Sequence, residues 1–333
     1  MAKKTKGKPW IVDQYLDIHL REKKKYGKVY TAFMVGSFYE AYAVTPKEEE
    51  ELRQVCDILR IVVTSMNTVK KKSKGKNKGR KYFMAGFGVV AFKKFLRILL
   101  KAGYTVVRVD QKIDTTSHRT NVFKREIVQV YSNALCLDSA VGNDMDTSWL
   151  LVATVERLEL MDTKGKSVHR VGLCLIDASR GTEVFVYERN VTSSKKNQTE
   201  SLEELRDIIH IYQPSEMVLL TEGFSSDKHV QSLLSWLQVR CPVHRRPVEK
   251  LPDSLCRPRL QEVTLQKVYS DTNLISAFGL ERKSLARLSL VFGLDYVRDH
   301  DTRLLKCLSR PKHYRSRRWM TCHYIVDRLQ ILP

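Results

Sequence analysis

The sequence lacks the features of a membrane-spanning, secreted or disulfide-stabilised protein. No apolar run approaches the roughly 20 residues that a membrane-spanning helix needs. The start, Met1 to Lys8, is polar and basic and contains no apolar signal core. The seven cysteines form no CxxC pair, and an odd number cannot all pair within one chain. These absences predict an intracellular protein in a reducing compartment.

Acidic residues are too few to balance the basic ones. The chain has 58 Lys and Arg against 37 Asp and Glu, which gives a formal net charge of +21. So large a charge of one sign favours a polyanionic partner. Because the sequence also lacks a lysine-rich amphipathic helix with a bulky aromatic face, we expect nucleic acid as the partner and no membrane.

Helical and strand-like patterns alternate through most of the chain, which indicates sheets covered by helices. The length of 333 residues suggests two or three domains. We expect a first domain at residues 1–114, a linker at 115–147, a second domain at 148–260 and a helical segment at 261–333. The predicted fold class is α/β, with a mixed sheet in the first domain.

The first domain has the clearest secondary-structure signals. The pattern predicts a helix at 12–26, a strand at 29–35, a helix that starts after Pro46 and a short strand at 61–64. A further helix at 90–102 is predicted to precede another strand. A basic loop is expected from Lys70 to Lys81.

The most informative segment follows the first strand. If residues 38–40 are extended, Phe38 and Glu40 share one face and Tyr39 points the opposite way. Phosphates repel a carboxylate on a DNA-facing surface, unless it accepts a hydrogen bond from a base. Inserting an aromatic ring costs a few kcal/mol of unstacking, and less where base pairing is defective. The pair therefore predicts detection of mismatches in DNA.

Several motifs in the same order resemble the MutS family of mismatch-recognition proteins. Residues 36–40, Gly-Ser-Phe-Tyr-Glu, match the family pattern Gly-x-Phe-x-Glu, and residues 83–88 are similar to its Pro-Met-Ala-Gly-Ile-Pro loop. Residues 103–113 resemble a family strand that ends in Glu-Gln-Ile. Residues 175–181 resemble the strand and turn of the connector domain, which has an RNase H-like fold. The residues around Phe38 resemble the giant-virus and coral-mitochondrial branch of the family more than the bacterial branch.

The resemblance implies a mismatch-recognition domain, an RNase H-like connector and the helical start of the family's core domain. It implies that Phe38 stacks on the mispaired base and that Glu40 accepts a hydrogen bond from it. The expected partners are double-stranded DNA with mismatches or small loops, a dimer partner and downstream repair factors. A nucleus, a viral factory or virion and a mitochondrion are alternative locations. The expected DNA-binding residues are Gly36, Phe38, Glu40, Met84, Lys70, Lys71, Lys72, Lys74, Lys76, Lys78, Arg80 and Lys81.

The sequence departs from the family in two ways. Phe83 and Gly88 replace the two prolines of the family loop, and the stretch from Lys70 to Lys81 is unusually basic. No phosphate-binding G-x-x-x-x-G-K-[ST] loop occurs in the sequence. We therefore expect no enzymatic activity and no cofactor in this chain, with ATP and Mg²⁺ required only if a longer parent chain carries the family's ATPase. The chain is either a fragment or a natural short form.

Other interpretations stay open at this point. An RNase H-like nuclease could bind Mg²⁺ through Asp177, Glu222 and Asp253, which follow strand ends. A DNA-packaging or scaffold protein would use the same positive charge without a preference for mismatches. Zinc binding or a DNA clamp is conceivable near the end of the sequence. The zinc candidates are Cys307, His313, Cys322 and His323, and the clamp candidates are Arg310, Lys312, Tyr314, Arg315, Arg317, Arg318 and Trp319.

Overall fold

The computed structural model describes the chain in two compact units, Met1–Asp144 and Met145–Pro333. The described residues are 10–67, 81–113, 123–136, 148–159, 167–179, 183–189, 200–300 and 302–314. Within these ranges, no helix is both long enough and apolar enough to cross a bilayer. The domain limits expected at residues 114, 147 and 260 stay predictions.

The first unit contains one mixed six-stranded sheet. The strand order is β3–β4–β2–β1–β5–β6, in which β1 and β5 are parallel and the other neighbours are antiparallel. This arrangement confirms the mixed sheet predicted for the first domain. Its elements are α1 (Ile11–Tyr26), β1 (Val29–Val35), β2 (Phe38–Ala43), α2 (Pro46–Leu59), β3 (Thr64–Asn67), β4 (Lys81–Gly88), α3 (Phe92–Lys101), β5 (Thr105–Ile113) and β6 (Phe123–Tyr131).

Local chemistry explains where α2 begins and how α3 packs. Thr45 and Glu48 form a reciprocal capping box, and Pro46 occupies the first helical turn, where its missing N–H is not needed. In α3, the buried side chains recur at helical spacing and place one face of the helix in the core. The buried residues of α3 are Phe92, Leu96, Leu99 and Leu100.

The second unit also contains a six-stranded sheet. The strand order is β11–β10–β7–β8–β9–β12; β7, β8 and β9 form an antiparallel meander, and β10 and β11 continue the sheet in parallel from β7. This is the RNase H-like arrangement expected for the connector. The elements are β7 (Trp149–Glu159), β8 (Ser167–Asp177), β9 (Val184–Glu188), α4 (Glu200–Tyr212), β10 (Glu216–Glu222), α5 (Asp227–Leu237), β11 (Val243–Pro247), α6 (Asp253–Cys256), α7 (Pro258–Tyr269), α8 (Leu274–Ala277), α9 (Ser284–His300), α10 (Thr302–Cys307) and β12 (Lys312–His313).

Helix α9 packs directly on the sheet of the second unit. Gly172 in β8 makes this close approach possible, because a Cβ at this position would lie 2.2 Å from the backbone nitrogen of Ala286. The Ala286 N–H donates to Glu188 Oε2 over 2.9 Å, and Ser289 Oγ donates to the Gly172 carbonyl over 3.0 Å. In the described part of the predicted helical segment, α7 to α10 are helices and β12 is a short strand. The longest of these helices, α9, belongs to the core of this unit.

Candidate nucleic-acid interface

A tight hairpin presents the aromatic ring of Phe38. Strand β1 ends at Val35, which pairs with Phe38, so that Gly36 and Ser37 alone make the turn. Gly36 has a φ of 61°, in the left-handed region that favours glycine. Its backbone N–H donates to Gln111 Oε1 in β5 over 3.3 Å. The short turn and its hydrogen bond to β5 therefore fix the position of Phe38, the first residue of β2.

The first two residues of β2 have opposite environments. The Phe38 side chain is 52% exposed, whereas Tyr39 is fully buried. The Tyr39 hydroxyl donates to Asp110 Oδ1 over 2.7 Å and accepts from Arg108 Nε over 2.8 Å. Burial, together with the Asp110 hydrogen bond, raises the pKa of Tyr39 to about 12. Tyr39 thus anchors β2 on the buried face of the sheet, and the Phe38 ring is half-exposed on the opposite face.

Glu40 lies on the same face as Phe38, and its neighbours on β4 have no side chains. Phe38 pairs with Gly88, and Glu40 pairs with Gly86. A Cβ on Gly86 would lie 2.7 Å from the Tyr39 carbonyl oxygen and 3.2 Å from Glu40 Cγ, so glycine is required there. A Cβ on Gly88 would meet no atom within 4 Å. The surface beside the ring and the carboxylate is consequently open to an approaching molecule.

The Tyr42 hydroxyl holds the Glu40 carboxylate in place, and the Arg125 guanidinium is near enough for the two charges to interact. The Tyr42 hydroxyl donates to Glu40 Oε2. Burial, the hydrogen bond and the charge of Glu40 together raise the pKa of Tyr42. The Arg125 guanidinium lies 5.0 Å from the Phe33 ring and donates to Gln14 Oε1 over 3.3 Å. Burial lowers the pKa of Arg125, and the charges of Tyr42 and Glu40 oppose that shift.

One carboxylate oxygen remains available as an acceptor. Glu40 Oε2 is taken by Tyr42, and within the described residues no donor is hydrogen-bonded to Oε1. Glu40 is partly exposed, and its side chain lies on the same face of β2 as Phe38. The arrangement can offer a flat apolar ring and a single oriented hydrogen-bond acceptor to the same ligand.

Of the other DNA-binding residues expected from the sequence, the structure describes Met84 and Lys81. Met84 is half-buried in β4, opposite Tyr42, and therefore shares the face of Glu40. Lys81 is exposed at the start of β4, with its Nζ 5.0 Å from the centre of the Phe83 ring. The other basic candidates lie outside the described residues, namely Lys70, Lys71, Lys72, Lys74, Lys76, Lys78 and Arg80.

The segment that resembles the family loop is a strand in this structure, and the basic loop predicted from Lys70 to Lys81 lies outside the described residues except for Lys81. Residues 83–88 belong to β4, which lies between β2 and β3 in the sheet. Sequence reasoning also missed Tyr42 and Arg125 beside Glu40. Strand alternation could have found Tyr42, which is two residues beyond Glu40. No local signal marks Arg125, because it is 85 positions further along the chain and only the fold brings it near.

The structure does not bring together the acids of the nuclease interpretation. Asp177 pairs with Trp149 at one end of β7, and Glu222 pairs with Glu156 near the other. Seven residues of strand separate these positions by roughly 23 Å. Asp177 is buried and accepts hydrogen bonds from the backbone and hydroxyl of Ser179, so it stabilises the turn.

The third acid and the zinc candidates also have other contacts. Asp253 is paired with Arg257 over 2.5 Å. His313 Nε2 is 2.8 Å from the Phe278 carbonyl oxygen, and Cys307 is exposed. Cys322 and His323 lie outside the described residues. In the described part of the chain, no three His, Cys, Asp or Glu side chains are grouped to hold a metal ion.

The clamp candidates that the structure describes contact protein groups. Arg310 pairs with Asp271 over 2.8 Å, and Tyr314 packs against the rings of Tyr187 and Tyr212. Lys312 is exposed in β12. Arg315, Arg317, Arg318 and Trp319 lie outside the described residues.

Comparison with known proteins gives a family match over the first unit. The family model of MutS domain I matches residues 11–140. A putative DNA mismatch repair protein, a mutS homolog of Acanthamoeba polyphaga mimivirus, is 27% identical over 89% of this chain and 27% of its own length. The DNA mismatch repair protein MutS of Streptococcus thermophilus is 28% identical over 63% of this chain and 21% of its own length. The chain thus spans about a quarter of the length of these relatives.

Similarity to solved structures is weak. The chain resembles Thermus thermophilus RuvC in complex with a Holliday junction substrate at 13% identity and a TM-score of 0.25, over 44% of this chain and 94% of that one. It resembles the fowlpox virus Holliday junction resolvase at 14% identity and a TM-score of 0.27, over 44% of this chain and 97% of that one. Scores this low support no functional inference.

Proposed function

The chain belongs to the MutS family, whose first domain it carries at residues 11–140, and from this premise we propose that it binds mismatched duplex DNA. One observation carries the proposal: the half-exposed ring of Phe38 stands at a hairpin tip beside the Glu40 carboxylate. The printed names of the relatives, which describe DNA mismatch repair, agree with this function.

In the proposed mechanism, Phe38 enters the duplex where stacking is weak. Insertion costs a few kcal/mol of unstacking, and a mispaired base has already lost part of that energy. Glu40 Oε1 then accepts a hydrogen bond from an N–H of the displaced base. The bare backbone at Gly86 and Gly88 lets the base edge approach, and Tyr42 keeps the carboxylate oriented.

The positive charge of the chain supplies binding that does not depend on sequence. A net charge of +21 attracts phosphates at every duplex, matched or not. This background lets the protein sample DNA, and Phe38 adds selectivity at weak steps. The stretch from Lys70 to Lys81 remains a proposed contributor to the background.

We further propose that this binding step needs no nucleotide, since no phosphate-binding loop occurs in the sequence. ATP and Mg²⁺ would act only where a longer parent chain supplies the family's ATPase. A dimer partner and downstream repair factors are proposed on the same basis.

The decisive experiment is competitive binding to a matched duplex, a G·T duplex and a single-base bulge, at two salt concentrations. We expect Phe38→Ala to retain the salt-dependent background and to reduce the mismatch preference by about tenfold or more, because the ring supplies the selective contact. Leu20→Ala removes another partly exposed apolar side chain from the first unit and should keep the preference.

Three outcomes would redirect the proposal. If Phe38→Ala keeps the full preference, the site assignment is wrong. If the unmodified chain binds matched and mismatched duplexes equally, a packaging or scaffold role explains the charge better. Metal-dependent cleavage that is lost in Asp177→Asn would instead favour a nuclease.

A further inference from the structure

The outer face of α3 carries a row of cations. Lys94, Arg97 and Lys101 are spaced by three and four positions, which places them on one side of the helix. All three are exposed, and α3 contains no acidic residue. In the described part of the chain, none of the three forms an ion pair with a carboxylate. We refer to these residues as the α3 row.

The fold holds this row in a fixed position. The opposite side of α3 is buried through Phe92, Leu96, Leu99 and Leu100, so the helix cannot turn its cations inward. Neighbouring like charges at these spacings repel one another. A ligand with several closely spaced negative charges would relieve that repulsion. The ten-residue helix is roughly 15 Å long, a distance over which duplex DNA carries about nine phosphate charges.

The row starts close to the hairpin that carries Phe38. Gly88, the last residue of β4, pairs with Phe38, and the Val89 N–H donates to the Ser37 carbonyl over 3.0 Å. Val90, which follows, is fully exposed. Helix α3 begins two residues later. Phe92, the first residue of α3, contacts the ring of Tyr39, the residue next to Phe38, so the helix begins beside the hairpin tip. A wedge that kinks DNA brings more of the flanking duplex against the protein.

We propose that Lys94, Arg97 and Lys101 bind the phosphate backbone of the duplex that flanks the site probed by Phe38. The row supplies affinity without sequence choice, and Phe38 supplies the preference for mismatches. Duplex DNA is chosen as the polyanion because of the proposed function. The exposure of the α3 row and its lack of carboxylate partners among the described residues are observed independently of that function.

The test is the salt dependence of binding by the full chain to a matched and a G·T duplex. The variant replaces Lys94, Arg97 and Lys101 with glutamine, which keeps helix propensity and removes three charges. The control replaces Lys228, Arg259 and Lys267, which are exposed cations of the second unit, with glutamine and lowers the net charge equally. Thermal unfolding establishes that both variants fold.

We expect the slope of log affinity against log salt to become shallower by up to about 2.7 in the α3 variant, or about 0.9 for each contact. Affinity at low salt should fall roughly tenfold or more for both duplexes, while their affinity ratio stays unchanged. The control should change the slope by much less. If the triple variant does not fold, Arg97→Gln alone should shift the slope by about 0.9.

A slope equal to that of the unmodified chain would overturn the assignment of the α3 row, as would an equal change in the control. The result is independent of the mismatch site. If the row changes the slope while Phe38→Ala leaves the mismatch preference intact, the row stands and the proposed function fails. If Phe38→Ala abolishes the mismatch preference and the α3 variant keeps the slope of the unmodified chain, the proposed function stands and the assignment of the α3 row fails.

Discussion

Each unit contains a glutamate that receives a hydrogen bond from a tyrosine hydroxyl, and the two glutamates differ in what else surrounds them. In the first unit, Tyr42 donates to Glu40 beside the exposed ring of Phe38. In the second unit, Tyr296 donates over 2.5 Å to Glu216, which is fully buried and also lies 3.1 Å from His244 Nε2.

The difference separates a carboxylate that stabilises the fold from one that can bind a ligand. Glu216 begins β10 and links it to α9 and β11 through partners that are themselves buried. A buried charge with several partners is costly to disrupt, because its partners are left unsatisfied. Glu40 is only partly buried, and Tyr42 occupies one of its two carboxylate oxygens.

The largest expected effect concerns stability. Glu216→Ala leaves the Tyr296 hydroxyl and His244 buried without their carboxylate, so the free energy of unfolding should fall by about 3–5 kcal/mol. Glu40→Ala should change it by less than about 1 kcal/mol. Urea denaturation measures both values. Equal losses in the two variants would remove the distinction between the carboxylates.

Low pH should weaken the packing around Tyr42, the residue that orients Glu40. The His19 ring stacks on Tyr15, which contacts Tyr42. Burial, and secondarily the charge of Lys23, lowers the pKa of His19 to about 4. Because the folded pKa lies below the unfolded value near 6.5, His19 contributes stability above pH 6.5 that is lost as the pH falls toward 4.

The expected loss attributable to His19 is roughly 2–3 kcal/mol across that interval. Denaturation at a series of pH values should show a shallower decline in His19→Gln, which cannot be protonated. If the variant follows the same pH curve as the unmodified chain, His19 does not cause the acid sensitivity.

The smallest effect concerns the two tyrosine donors. Tyr42→Phe removes the hydroxyl that orients Glu40, so the mismatch preference should fall about threefold to tenfold, as for one lost hydrogen bond. Tyr296→Phe should lower the free energy of unfolding by about 1–2 kcal/mol and leave the preference unchanged. DNA binding and urea denaturation are measured on both variants. A stability loss confined to Tyr42→Phe, with a lower mismatch preference only in Tyr296→Phe, would refute the distinction between the two carboxylates.

Local signals predicted much of the first unit. The helix at 12–26, the strand at 29–35 and the helix after Pro46 agree with α1, β1 and α2, because apolar periodicity and capping residues act over a few positions. The shared face of Phe38 and Glu40 follows from strand alternation in the same way. Their contact with DNA stays a prediction.

Features that depend on distant pairing were not predictable. The strand expected at 61–64 is found as β3, Thr64–Asn67, because α2 ends at Arg60 in the left-handed region and β3 is positioned by its pairing with β4. Residues 83–88 resemble a family loop, yet they form part of β4, and the sheet uses the two glycines of this strand to leave room beside β2. Similarly, Asp177 and Glu222 are far apart because β8 is antiparallel to β7 and β10 is parallel to it, and spacing in the sequence does not reveal these strand directions.

The two-residue turn at Gly36 and Ser37 constrains how this domain can vary over evolution. Substitution at position 38 could alter the chemistry of the probing side chain and leave the strand ladder intact. Insertion of one residue into β2 would instead exchange its two faces, turning the anchoring tyrosine outward and the probing ring inward. Variation at the tip should therefore accumulate through changes of side chain, with the length of the hairpin held constant.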